Sequence, residues 1–209
     1  MATNASVLIL VGSETTATLL CGAAFLLTTH PEMLKRLEHE IRSAFRSEKD
    51  ITLTSVGQLP FMLACLSETM RCYPPFVAGA FRQTPKDVLI DGKFEPQGYA
   101  VNRDERYWKE PERFAPKRWM DGLEYKGDQL DAMQPFSTGP RNCIGRNLAY
   151  AEARLILAKL VFSFDMSLAA SNDHWLHNQK AYIVWDKPLL YVHLLREAVP
   201  DSEREHHIY

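Results

Sequence analysis

Residues 136–145, FSTGPRNCIG, constrain this chain more than any other stretch. Gly139 and Pro140 break regular structure, Arg141 is costly to bury without a partner, and Cys143 is the one soft ligand within reach. The decapeptide has to be a shaped loop. Directly after it, Leu148, Ala151, Leu155, Ala158 and Phe162 recur at near-heptad spacing and predict a helix from about Gly145 to Val161. A cysteine just ahead of a helix can turn its sulfur toward the free N–H groups of the first turn, where the helix dipole favours negative charge. Such a sulfur suits a nucleophile or a metal ligand. A nucleophilic cysteine needs a histidine base, and no pattern in the sequence nominates one. Gly139 and Gly145 make sense if a flat, bulky group must come close to the backbone, and Arg141 if that group carries carboxylates.

The 209 residues are 46% hydrophobic, enough for one large domain or two small ones. Net charge is −2 with no basic stripe, which argues against a nucleic-acid partner. Cys21, Cys65, Cys72 and Cys143 lack CxxC or zinc-finger spacing, so neither a disulfide framework nor a structural zinc site is expected, and reduced thiols fit an intracellular compartment. Residues 5–27 are apolar enough to imitate a membrane span. They lack the positive flank of a signal peptide, however, and Glu14 near the middle would cost about 2.5–3.5 kcal/mol in a bilayer. A core helix from about Ala5 to Leu27 is the better reading.

Thr29 and Glu32, with Pro31 in the first turn, predict a capping box that opens a second helix, whose stripe is Leu34, Leu37, Ile41 and Phe45. A third helix is expected from about Pro60 to Tyr73, burying Leu63, Leu66 and Met70 and ended by Tyr73-Pro74-Pro75. Residues 76–98 read as short strands with a hairpin turn at Asp91-Gly92, and residues 99–134 as mostly irregular. The segment AYIVWDKPLLYVHLL reads as two strands around Asp186-Lys187-Pro188. The tail, residues 201–209, is expected to fray, with His206 and His207 solvated.

A flat group that carries carboxylates and an iron to ligate is haem. FSTGPRNCIG resembles, at every signature position, the F-x-x-G-x-R-x-C-x-G loop of the cytochrome P450 haem-thiolate monooxygenases, whose cysteine ligates the iron. Further segments resemble that family in its own order. ETMR resembles its E-x-x-R motif, with Glu68 and Arg71 on one helix face, and PERF resembles the motif that adds a third member, here Arg113. VGSETT resembles the oxygen-activating turn, in which Gly12 leaves room for dioxygen and Glu14 and Thr15 form the acid–alcohol pair that relays protons. GAFRQTPKD resembles the segment whose arginine, here Arg82, holds a haem propionate. The wording of WKEPERFAPKRW and DKPLLYVHL is similar to members from fungal secondary metabolism.

The resemblance implies a mainly α fold with small β-sheets: the C-terminal portion of the cytochrome P450 fold, with the N-terminal part and one internal strand missing. Residues 1–200 form that partial domain. The expected cofactor is haem ligated by Cys143, with Arg82, Arg141, Phe136, Gly139 and Gly145 around it. Dioxygen is expected as co-substrate, electrons come from NADPH through a reductase partner, and a lipophilic small molecule is hydroxylated or epoxidised. Residues 76–80 and 175–181 are expected to line an apolar pocket. The family sits on the endoplasmic reticulum membrane, through an anchor without counterpart in this sequence. The alternative reading is non-catalytic: a truncated remnant that binds haem weakly or not at all.

Overall fold

The first helix buries threonines among its apolar side chains. α1 (Ala2–Thr29) is apolar along most of its length, and its hydroxyls bond back into the helix: Thr16 donates to the Gly12 carbonyl (3.1 Å), Thr28 to Ala24 (2.7 Å) and Thr29 to Phe25 (2.9 Å). Satisfied in this way, Thr16 goes inside at little cost, while Thr28 is half-buried and Thr29 exposed. The computed structural model describes residues 2–77, 98–172, 174–182 and 184–196. The expected Asp91-Gly92 hairpin and the tail lie outside these residues.

The Thr29–Glu32 capping box does not form. Thr29 is the last residue of α1 and its hydroxyl is taken by the Phe25 and Leu26 carbonyls, so His30 becomes the N-cap of α2 (Pro31–Ala44). Pro31 takes the first helical position, as its missing N–H permits. Leu34, Leu37 and Ile41 are buried and Phe45 packs on the same core, the expected stripe. In α3 (Pro60–Cys72) Leu66 and Met70 are buried as expected, but the burial is not confined to a stripe. Glu40 of α2 accepts the Phe61 and Met62 N–H groups (both 2.8 Å) in place of a local cap, and the helix is buried on nearly every side. Leu63 and Ser67 are the less buried positions on its one open flank.

From residue 102 to 134 the chain is a series of turns, as its prolines and paired charges imply, with only single 3-10 turns such as Pro116–Trp119. A short helix, α4 (Gly98–Val101), precedes them. α5 (Arg146–Ser163) runs on directly into β1 (Phe164–Leu168). Its buried face is Ala153, Leu157, Ala158 and Val161, whereas Leu148 is exposed. Of the heptad read from the sequence, Ala158 is buried and Leu155 and Phe162 pack against the core, but Leu148 faces out and Leu157 and Val161, which lie outside that heptad, are buried. The side packed on α1 and α2 is set by neighbours that periodicity alone does not reveal.

The two strands expected near the C-terminus exist but belong to different sheets. β3 (Trp185–Asp186) pairs antiparallel with β2 (Lys180–Ala181), and β4 (Val192–Arg196) pairs antiparallel with β1, Leu168 opposite Val192 and Phe164 opposite Arg196. Aromatic rings pin this C-terminal segment to the helices. Tyr73 stacks on Trp185 (5.0 Å, 14°), Trp175 lies 5.1 Å from Phe25, Trp185 Nε1 donates to the Pro74 carbonyl (2.8 Å) and Trp175 Nε1 to Pro188 (2.9 Å). Gly22 makes room for this cluster: a Cβ there would stand 2.3 Å from the Tyr73 ring.

Candidate cofactor site around Cys143

The cysteine loop is held by its own backbone. The Cys143 N–H donates to the Phe136 carbonyl (2.9 Å), which closes the loop, and Asn142 N–H donates to Gly139 (3.1 Å) across the turn Gly139–Arg141. Gly139 has φ +77°, a conformation that side chains with a Cβ resist. Phe136 packs on Tyr150 of α5 at 5.0 Å and ties the loop to the helix it introduces. Gly145 is the N-cap of α5, so Cys143 lies just ahead of the helix as its sequence position implies.

All four cysteines are free thiols, but they differ in environment. Burial pushes the Cys65 thiol up, and pushes Cys72 up to about 12. Cys21 is also raised by burial. Cys143 is the exposed one, so the soft ligand available to an incoming group is the one on the glycine loop. Among the described residues no three His, Cys, Asp or Glu side chains converge as a metal cage. A group that brings most of its own ligands and takes one more from a thiolate would suit such a site. The space beside the loop fits it too: a Cβ on Gly139 would meet nothing within 4 Å, and one on Gly145 would meet Cys143 Sγ at 3.9 Å. Arg141 is exposed on the same loop. Arg82 lies outside the described residues. A cavity of about 670 Å³ reaches Cys143 from the α3 side, with Ser67, Arg146 and Arg154 on its wall.

The Glu14–Thr15 turn of α1 is not on that wall. It is joined to α5 instead, through Thr16, whose hydroxyl reaches Glu152 Oε2 at 3.5 Å. The Glu14 carboxylate accepts from Thr18 (3.4 Å) and from the Lys187 ammonium. That hydrogen bond holds the Glu14 carboxyl below the usual carboxylate range, against the opposing effect of burial.

The structure corrects the charged triad. Glu68 and Arg71 pair as their spacing implies, Arg71 Nε to Oε2 at 2.9 Å and its Nη2 to Oε1 at 2.8 Å, with both side chains fully buried. Arg113 is not the third member. Its guanidinium is exposed beside Glu110 (3.4 Å) and Glu124 (3.9 Å), and only its backbone carbonyl joins the network, accepting from Arg71 at 3.0 Å. The third cation is Arg118, fully buried, with Nε 3.1 Å from Glu68 Oε1. Trp119 Nε1 (2.9 Å) and the Ala115 N–H (2.9 Å) complete the shell around the carboxylate. Arg71 also donates to the Asn102 and Pro111 carbonyls (both 2.7 Å), and Arg118 pairs with the buried Asp128, so two buried cations face two buried anions. PERF and the following PKRW share the same P-x-R-aromatic pattern. Only the backbone path after Phe114 shows which arginine turns inward.

Arg113→Ala is therefore expected to change stability by no more than about 1 kcal/mol, as for an exposed pair. Arg118→Ala leaves the buried Asp128 without the cation it pairs with and removes one of the two that hold Glu68, and should cost about 3–5 kcal/mol. Urea melts of the two variants give the order directly. If Arg113→Ala is the more damaging, the assignment of Arg118 is wrong.

The cytochrome P450 family model matches residues 1–194. A cytochrome P450 monooxygenase of Talaromyces stipitatus is 48% identical over 195 residues, which cover 90% of this chain and 38% of that protein. Trichothecene C-15 hydroxylase of Fusarium sporotrichioides is 42% identical (93% of this chain, 42% of the relative) and averantin hydroxylase of Dothistroma septosporum 40% (97% and 41%). The chain thus spans about 40% of the length of these curated relatives. Its motifs, its mainly helical fold with small antiparallel sheets and this similarity give one answer: the chain belongs to the cytochrome P450 family.

Proposed function

We propose that this chain is the haem-binding and proton-delivering part of a monooxygenase that hydroxylates or epoxidises a lipophilic metabolite in fungal secondary metabolism. The observation that carries the reading is the exposed Cys143 thiol on a glycine loop with open space beside it, ahead of α5. Cys143 would ligate the iron. Gly139 and Gly145 would admit the flat ring, Phe136 would brace the loop, and Arg141 and Arg82 would pair with propionates. When bound, haem supplies the activation of dioxygen and transfer of one oxygen atom to substrate.

The chain's own residues contribute position and protons. The buried Glu68–Arg71–Arg118 network ties α3 to the turns that lead into the cysteine loop. Glu14 and Thr15 would move protons along the α1 turn, an acid and a hydroxyl on adjacent residues. Electrons would come from an NADPH-dependent reductase, and the working site would be the endoplasmic reticulum membrane, as in the family. No helix among the described residues is long and apolar enough to cross a membrane.

The test is a reduced carbon-monoxide difference spectrum of the protein expressed with a haem precursor. A thiolate-type band is expected, and its absence from a folded, haem-loaded sample would overturn the reading. Thr15→Ala should retain that band and still consume NADPH, while more oxygen leaves as peroxide and less as product. Unchanged coupling would remove Thr15 from the relay.

A further inference from the structure

Lys187 comes from a segment far from α1 in sequence. Its side chain is mostly buried (19% exposed) and its ammonium reaches Glu14 Oε1. Little of this is free to drift: Trp175 Nε1 holds the next residue's carbonyl, that of Pro188, and Trp185, two residues before Lys187, is held by Pro74 and stacked on Tyr73. A lysine stem commonly lies along apolar surface with its head in water, but here the ammonium is turned onto the half-exposed Glu14 carboxylate.

The other groups around Glu14 do not compete for its charge. Thr18, on its own helix, donates to the same oxygen at 3.4 Å. Cys21, one turn further, and Tyr73, at the end of α3, are both held neutral by burial, which raises each of them. Glu152 of α5 faces Thr16. The lowering of the Glu14 carboxyl comes first from Lys187, with a smaller contribution from Thr18.

We propose that Lys187 is a positioning residue for Glu14: it supplies the counter-charge and fixes where the carboxylate points, so that the C-terminal segment and not α1 alone sets the proton path along the Gly12–Thr15 turn. The inference rests on the reading of Glu14 as the relay acid. It also has a consequence independent of that reading. Because the carboxyl titrates lower in the folded than in the unfolded chain, the pair stabilises the fold above the unfolded carboxylate range and loses that contribution as pH falls through the folded value.

The experiment follows the Glu14 carboxyl carbon by NMR through an acid titration of the chain labelled with ¹³C-glutamate, assigned with Glu14→Gln. In the parent protein the midpoint should lie below that of an ordinary glutamate. Lys187→Met should move it up, Lys187→Arg should restore it, and the circular dichroism of both variants should match the parent. A midpoint that does not move in Lys187→Met, or that arginine fails to restore, overturns the proposal. In the haem-loaded protein with reductase, Lys187→Met and Glu14→Gln should each lower the product formed per NADPH, and the double variant should be no worse than Glu14→Gln alone, since the two residues act as one unit. If the midpoint moves but Glu14→Gln leaves coupling intact, the relay reading fails and takes the positioning role with it. If Glu14→Gln uncouples while the midpoint stays fixed in Lys187→Met, the relay stands and Lys187 has no part in it.

Discussion

Glu68→Ala is expected to cost about 3–5 kcal/mol, a large share of the about 5–15 kcal/mol that holds a domain together. The carboxylate accepts from Arg71, Arg118, Trp119 and the Ala115 N–H, and every one of these donors is in or beside a fully buried network. Alanine leaves two guanidinium groups inside with Asp128 as their remaining anion. Glutamine keeps the shape but replaces one acceptor oxygen with a donor that faces other donors, so it should be nearly as damaging. The loss should appear as a lower urea midpoint and as reduced haem retention, because the network anchors the turns ahead of the cysteine loop. An alanine variant with the parent's melting behaviour and full haem occupancy would show that the network is not what holds these turns.

Cys143→Ala should abolish the thiolate-type carbon-monoxide band completely, and Cys143→Ser should do nearly the same, since a hydroxyl is a poor ligand for this iron chemistry. The same substitutions should leave the stability of the haem-free chain within about 0.5 kcal/mol, because Cys143 is exposed and packs against little. That contrast separates a ligand from a structural residue. Retention of the band in the alanine variant would remove Cys143 from the mechanism and point to a thiol now buried, Cys65 or Cys72, with a rearranged core around it.

How far the sequence could be read depended on the range of the physics involved. Pro31 at the start of α2, the end of α3 before Pro74, the Leu34–Leu37–Ile41 stripe and the Glu68–Arg71 pair all rest on contacts within a few residues, and each stands in the structure where the sequence put it. The loop around Cys143 is equally local: Gly139 has the positive φ that its glycine permits, and Cys143 precedes the helix. Where two local solutions were equally good, the sequence reading chose wrongly. Thr29 could cap α2 or bond back into α1, and the Phe25 and Leu26 carbonyls, four and three residues away, claimed it.

Tertiary structure decided the choices in which both alternatives look the same along the chain. PERF and PKRW offer identical P-x-R-aromatic patterns, and burial of Arg118 against Glu68 settled which arginine is internal, because only the approach of α3 provides an anion there. The exposed Leu148 and buried Leu157 of α5 followed from where α1 and α2 pack, since a periodic stripe specifies a face but not which neighbour covers it. The Lys187–Glu14 pair had no sequence signal at all. It joins residues at opposite ends of the chain, and it exists because aromatic packing on Tyr73 carries residues 185–188 to the side of α1.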